Sequence, residues 1–205
     1  MMNKKHQTIL VIMLMTLVFS LGFINMENPV SQKAEVKNPL LLNSGLVEAQ
    51  EAEIRVVLWF AEGKPQKAFI KDLPQDNWLW QESGSHNSLT SGYSLAGYTL
   101  VSPEEEAGLF AWYLELAQAV KAVGGIVYLD ERIDENIDII AFALKQNIQP
   151  QQYSLTEGVV SVAGWDESLG PEVLAGKDRV NIQLISKVEG KGKTALAFPV
   201  LLEEF

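Results

Sequence analysis

The stretch "SPEEEAGLFAWYLELAQAVKAVGG" constrains the fold more than any other part of the chain. Ser102 has the side chain of a helix N-cap, Pro103 stands at the first helical position, and Glu105 completes a capping box three residues on. Leu109, Tyr113, Leu116, Ala117, Val120 and Val123 then recur at helical spacing until Gly124 and Gly125 end the run. A helix over 103–123 is predicted. Set among strand-like segments, such a helix points to a mixed α+β fold.

The segments around it read as strands. "DNWLWQES" puts Trp78 and Trp80 on one face, and "LTSGYSLAGYTLV" carries Gly92 and Gly97 as marks of a bulge or a close backbone approach. "IVYLDE" and "YSLTEGVVSVAGW" each read as a further strand, and "DESLGPEVLAG" as an irregular loop or a single helical turn. "EAQEAEIRVVLWFAEG" reads as a helix with an acidic first turn, stopped by Gly63; a strand is the alternative for "IRVVLWF". "DENIDIIAFALKQN" gives a second helix over 134–146, with Asp134 as its cap.

The chain stays apolar almost to its end. "DRVNIQLISKV" alternates Val180, Ile182 and Leu184 with Asn181 and Gln183, "EGKGK" is a turn, and "TALAFPVLLEEF" returns. A terminal hairpin pairing 179–188 with 194–203 is predicted. Pro199 has no N–H for a ladder, so the last strand is expected at a sheet edge or leaving the sheet there. The expected fold class is α+β: an antiparallel sheet with helices 103–123 and 134–146 packed on one face. "SLAGY" at 94–98 and "SVAGW" at 161–165, each preceded by a helix-like "IRVVLWFAE" or "IDIIAFALK", suggest an internal duplication.

Address and charge narrow the function. Lys4 and Lys5 precede the uncharged "ILVIMLMTLVFSLGFI", the pattern of a secretory signal or N-terminal anchor. Residues 1–26 are read as that signal peptide or anchor, 27–39 as a tether and 40–205 as one domain. An extracytoplasmic location follows, secreted or anchored to the outer face of the cytoplasmic membrane, with membrane contact only through residues 9–24 if they are retained. There is no Cys, so neither a lipobox anchor nor a disulfide serves the exported protein. The net charge is −10, and removing residues 1–26 takes away Lys4 and Lys5 and no acid, leaving about −12. With no basic run anywhere, nucleic acid is not an expected partner. The expected partner is a protein or a cell-wall component.

In residues 159–205, Ser161, Gly164 and Trp165 are followed by Asn181 and Gln183, then Gly192 and Thr194, then Glu204 and Phe205. This series resembles the C-terminal part of the YwmB family of exported proteins from Gram-positive bacteria. The family usually has Gly before the Pro of the last strand and Tyr at the end, where this chain has Phe198 and Phe205. The resemblance implies an α+β fold likened to the TATA-box-binding protein, an exported or membrane-associated location and no known catalytic residue. The fold likeness transfers no DNA binding.

Chemistry-bearing constellations are scarce. The chain beyond the leader has one His, His86 in "SGSHNS", which reads as a polar turn. "GYSLAG" at 92–97 fails as a nucleophile elbow because Ala96 stands where Gly is required. Asp130, Glu131, Asp134, Glu135 and Asp138 read as a solvated acidic helix start, with Asp134 and Asp138 on one helix face, and not as a calcium loop. No catalytic, cofactor or metal residue is assigned. Trp78, Trp80, Tyr93 and Tyr98 form the candidate binding surface, for sugar or peptide, against the alternative that they pack in the core. A non-enzymatic domain is expected. The rival is an envelope enzyme drawing two carboxylates from different loops, as a wall glycosidase does.

Overall fold

The computed structural model describes residues 38–65, 70, 73–84, 92–187 and 192–202. The sheet strands are β1 (Ala52–Phe60), β2 (Leu79–Gly84), β3 (Tyr93–Val101), β4 (Gly125–Ile133), β5 (Gln149–Thr156), β6 (Val159–Trp165), β9 (Ile182–Lys187) and β10 (Thr194–Phe198). They run in the order β2-β3-β1-β4-β10-β9-β6-β5, each antiparallel to its neighbours. β7 (Val173–Ala175) and β8 (Asp178–Val180) pair only with each other. Helices α1 (Pro103–Ala122) and α2 (Ile139–Lys145) complete the α+β fold.

Both helices lie on one face. Ile54, Val56 and Leu58 of β1, Val127 and Leu129 of β4, Val162 of β6, Leu184 of β9, and Leu196 and Phe198 of β10 join Phe110 and Tyr113 of α1 and Phe142 of α2 in one buried cluster. Val57, Ile185, Ala195 and Ala197 are also buried, but they point the other way and stand outside that cluster. Phe198 is central, with ring centroids 5.0 Å from Phe110 and 6.0 Å from Tyr113.

α1 forms as its sequence demands, with both arms of the capping box made between Ser102 and Glu105. Val123, counted in its apolar stripe, lies just past the last turn and is exposed, while Phe110 takes a core place. α2 is shorter than the predicted 134–146. Asp138, not Asp134, caps it by accepting the Ile140 and Ala141 N–H groups at 3.0 Å, so Asp134 and Asp138 do not share a helix face.

Other expectations are corrected. "IRVVLWF" is a strand, β1, paired on both sides by β3 and β4. "YSLTEGVVSVAGW" is two strands, because Glu157 and Gly158 both take left-handed φ, 50° and 75°, and make the two-residue turn from Thr156 to Val159. The terminal hairpin exists as β9–β10, shorter than the expected 179–188 with 194–203 because 178–180 pairs with β7. Of the two expectations for the last strand the edge is excluded, since β10 lies between β4 and β9, and the chain leaves the ladder at Pro199. Pro199 stands just beyond the last ladder residue, so its missing N–H costs no sheet bond. The following chain turns under the open face, where the Leu201 N–H donates to Gln183 Oε1 at 2.9 Å.

The proposed duplication is corrected in one part, since "IRVVLWFAE" is a strand and "IDIIAFALK" contains α2. The two Gly–aromatic segments do occupy matching places, however. β3 and β6 are each third from the central β4–β10 seam. A Cβ at Gly97 would lie 2.6 Å from the Trp80 ring, and one at Gly164 would lie 2.4 Å from Ile148 Cγ2. Each glycine admits a large side chain from its own edge of the sheet. Among the described residues no helix is long and apolar enough to cross a membrane; the segment 9–24 lies outside them.

Candidate functional site

A groove of about 280 Å³ opens where the 74–78 turn, the end of β3 and the first turns of α1 meet. Trp78 and Trp112 form its aromatic walls, with ring centroids 5.3 Å apart and planes tilted by 49°. Trp80 backs Trp78 at 5.4 Å in a near-parallel stack, and its Nε1–H donates to the Pro74 carbonyl at 2.7 Å, tying the turn to the sheet. Asn77 holds a left-handed φ of 63°, and with Asp76 it forms an exposed polar rim.

Gly108 supplies the room. It lies inside α1, one turn before Trp112, where glycine weakens a helix by about 1 kcal/mol relative to alanine. A Cβ there would meet nothing within 4 Å. A side chain there would project into open space at the edge of the groove.

The four aromatics named from the sequence therefore do not form one surface. Trp78 and Trp80 stack together on the helix side. Tyr93 is buried on that side among Phe60 and the core, with the Lys64 ammonium 5.3 Å from its ring. Tyr98 lies on the opposite, open face, with the Arg55 guanidinium 5.2 Å from its ring centre. Trp112 was hidden within the apolar run of α1. His86 lies outside the described residues.

Asp130 and Glu131, expected in a solvated acidic helix start, are instead buried residues of strand β4, because they alternate within a strand covered on both faces. Glu106 of α1 and Glu131 of β4 are both 0% exposed. Glu131 Oε2 accepts the Leu41 N–H at 2.7 Å. Glu106 accepts the Leu42 and Asn43 N–H groups at 2.7 and 2.9 Å and the side-chain amides of Asn43 and Asn38 at 2.5 and 3.3 Å. Burial, then the hydrogen bond and charge of Glu106, push the Glu131 carboxyl well above the usual carboxylate range. Glu131 Oε1 is buried without a hydrogen-bond partner, an environment that favours the neutral carboxyl. The pair fastens the segment 38–44, whose Leu40, Leu41 and Leu42 are buried, onto the domain. The signal was present: Glu106 is in helical phase with Leu109, Phe110 and Tyr113, and Glu131 alternates in phase with Val127, Leu129 and Ile133.

The rest of the predicted acidic start serves local ends. Asp130 is buried in β4 and accepts from Arg132 Nε at 3.1 Å. Glu135 accepts the N–H groups of Glu48 and Ala49, and Asp134 is an exposed partner of Lys193 at 3.2 Å. Among the described residues no group of three or more acids or histidines is placed to hold a metal ion.

The residues behind the family resemblance hold the second half together. Asn181 clamps the Asp166 backbone, accepting its N–H at 2.9 Å and donating to its carbonyl at 2.7 Å. Gln183 bridges Ser161 Oγ, at 3.1 Å, and Leu201. Thr194 donates to the Glu135 carbonyl at 2.7 Å, and Trp165 lies 5.5 Å from the Arg179 guanidinium. A Cβ on Gly192 would overlap the Asn136 carboxamide. Glu204 and Phe205 lie outside the described residues. No protein-family model and no curated protein sequence matches the chain.

Proposed function

We propose that this chain is a non-catalytic domain, exported or tethered on the outer face of the cytoplasmic membrane, that binds sugar rings of an envelope glycan in the Trp78–Trp112 groove. Membership of the YwmB family belongs to the same proposal and is supported by the residue series from Ser161 to Thr194. The observation that carries the binding reading is the groove itself. Trp78 and Trp112, both packed in part against the core, still line the groove with apolar indole surface that suits the C–H groups of a pyranose, while Asp76 and Asn77 offer a carboxylate and an amide to its hydroxyls. The volume is at the small end for ligand sites, which suits one or two rings. The N-terminal Lys-plus-apolar segment supports the address.

The rival enzyme would need two carboxylates facing substrate and water. The best-paired carboxyls, Glu106 and Glu131, are sealed from solvent and engaged by the 38–44 segment, so they favour an anchoring role. DNA binding draws no support from the open face. There Arg55 stands opposite Asp130 in the β1–β4 register, Arg132 bonds Asp130, and the 199–202 tail crosses at Gln183.

The test is calorimetric titration of the protein with soluble wall-glycan oligosaccharides. Trp112→Ala and Gly108→Leu should each weaken binding by about tenfold or more, worth about 1.4 kcal/mol. Gly108→Leu fills the groove while improving helix propensity, so a binding loss without a stability loss is expected. Unchanged affinity in that variant, or no glycan bound by the wild type, rejects the reading.

A further inference from the structure

β5 ends the sheet. It pairs with β6 alone, and its eight residues are all exposed. Natural edge strands are usually blunted by charge, proline or a bulge. Here Pro150 and the bulge between Pro150 and Gln152 protect only the first part. From Gln152 to Thr156 the ladder is regular, and the whole stretch "NIQPQQYSLT", 147–156, contains no ionisable acid or base other than the Tyr153 phenol, in a chain of net charge −10.

The buried face also runs out at this strand. Leu184, Val162 and Tyr153 stand in one cross-strand row on the helix side, and their exposures are 0%, 1% and 61%. Leu155, opposite Val160 in the next row, is 72% exposed. Leu144 of α2, the helix leading into β5, is exposed as well.

We propose that β5 is a self-association edge, at which two copies of the chain pair their β5 strands antiparallel about a two-fold axis at Ser154 and join their sheets into one. The strand is complementary to itself in that register. Tyr153 meets the partner's Leu155 on the helix side, an aromatic–aliphatic pair of the kind that stabilises sheets. On the open face Ser154 meets the partner's Ser154, and the Gln152 backbone stands opposite the partner's Thr156 while its side-chain amide stays with the β7–β8 ribbon, donating to the Ala175 carbonyl at 2.7 Å and to Asp178 Oδ2 at 3.3 Å. Such an interface is isologous and closed. The lack of charge matters most for a second copy, because two chains of the same net sign repel elsewhere. This inference is independent of the glycan groove, which lies at the β2 end of the sheet.

The chain has no cysteine, so one introduced thiol reports the contact. In the full-length chain, Ser154→Cys places two thiols directly opposite each other at a separation a disulfide spans. Gln81→Cys, on exposed β2 at the other end of the sheet, measures random collision. Under mild oxidation Ser154→Cys should form a covalent dimer about tenfold or more faster than Gln81→Cys, and adding Leu155→Lys should remove that advantage, a change of about 1.4 kcal/mol. Sedimentation of the wild type should show a dimer. Equal cross-linking rates, a monomer at high micromolar concentration, or a dimer that Leu155→Lys does not weaken each overturn the proposal; so does a different protein found on this edge.

Discussion

Glu131 holds a proton that a solvated glutamate would release, and this gives the fold a pH dependence of definite sign. The folded carboxyl titrates above its ordinary 4.5. Between that value and the raised one, the folded state binds a proton that the unfolded chain has lost, so this contribution to stability falls as pH rises through the window. Glu131→Gln keeps an oxygen for the Leu41 N–H and places a neutral, non-titrating amide where burial disfavours charge. It should cost no more than about 1 kcal/mol at acid pH, and its stability should decline less than the wild type's toward pH 8. Thermal melts of both proteins across that range decide the matter; parallel slopes would show that Glu131 is not the proton carrier. Neither acid announces this role by residue type, because Glu106 ends an acidic run at a helix start and Glu131 sits among acids that do face solvent. Their phase with the apolar rows is the only sequence trace, and it identifies a buried position without naming the partner 25 residues away.

At the scale of elements, legibility tracked how local the determining physics is. α1 was readable because its cap, its proline and its apolar stripe all lie within its own residues. Ser102→Ala should therefore cost about 1 kcal/mol, read as a lowered melting temperature, and a melt unchanged from the wild type would mean that the cap bonds add nothing. β1 was misread because it is buried on both faces along most of its length, with Arg55 and Val57 covered on the open side, so the two-residue alternation that marks a half-buried strand is absent. The acids of "EAQEAE" then imitated a helix start. α2 was overextended because Asp134 and Asp138 are equally good caps by type, and the choice between them depends on β4 running through Ile133. The Trp78–Trp112 groove was half legible. Trp78 and Trp80 alternate visibly, but Trp112 joins them only through the packing of α1 beside β2 and β3, and the meaning of Gly108 depends on what its missing side chain would face.

At the scale of the molecule, the sheet is two four-stranded halves joined at one seam, β4 against β10, and β10 follows the other seven strands in chain order. Residues 52–133 supply β2, β3, β1 and β4. β5, β6 and β9 supply the other side and join β4 in the sheet only through β10. All five β10 residues are buried, and Phe198 packs against Phe110 and Tyr113 of the helix that belongs to the first half. Losing a buried Phe side chain alone costs about 3–5 kcal/mol, a large part of the ~5–15 kcal/mol by which domains are stable. Deleting residues 194–205 removes that ring, Leu196 and two sheet ladders together. It also leaves β4 and β9 as apolar edges open to pairing with other chains. The truncated chain should therefore lose its cooperative melt by circular dichroism and aggregate, while Phe198→Leu, which keeps an apolar group at the seam, should melt cooperatively at a lower temperature. If the truncation remains soluble and melts within a few degrees of the intact chain, the halves are stable without their seam, and the central place of β10 does not govern the stability of the molecule.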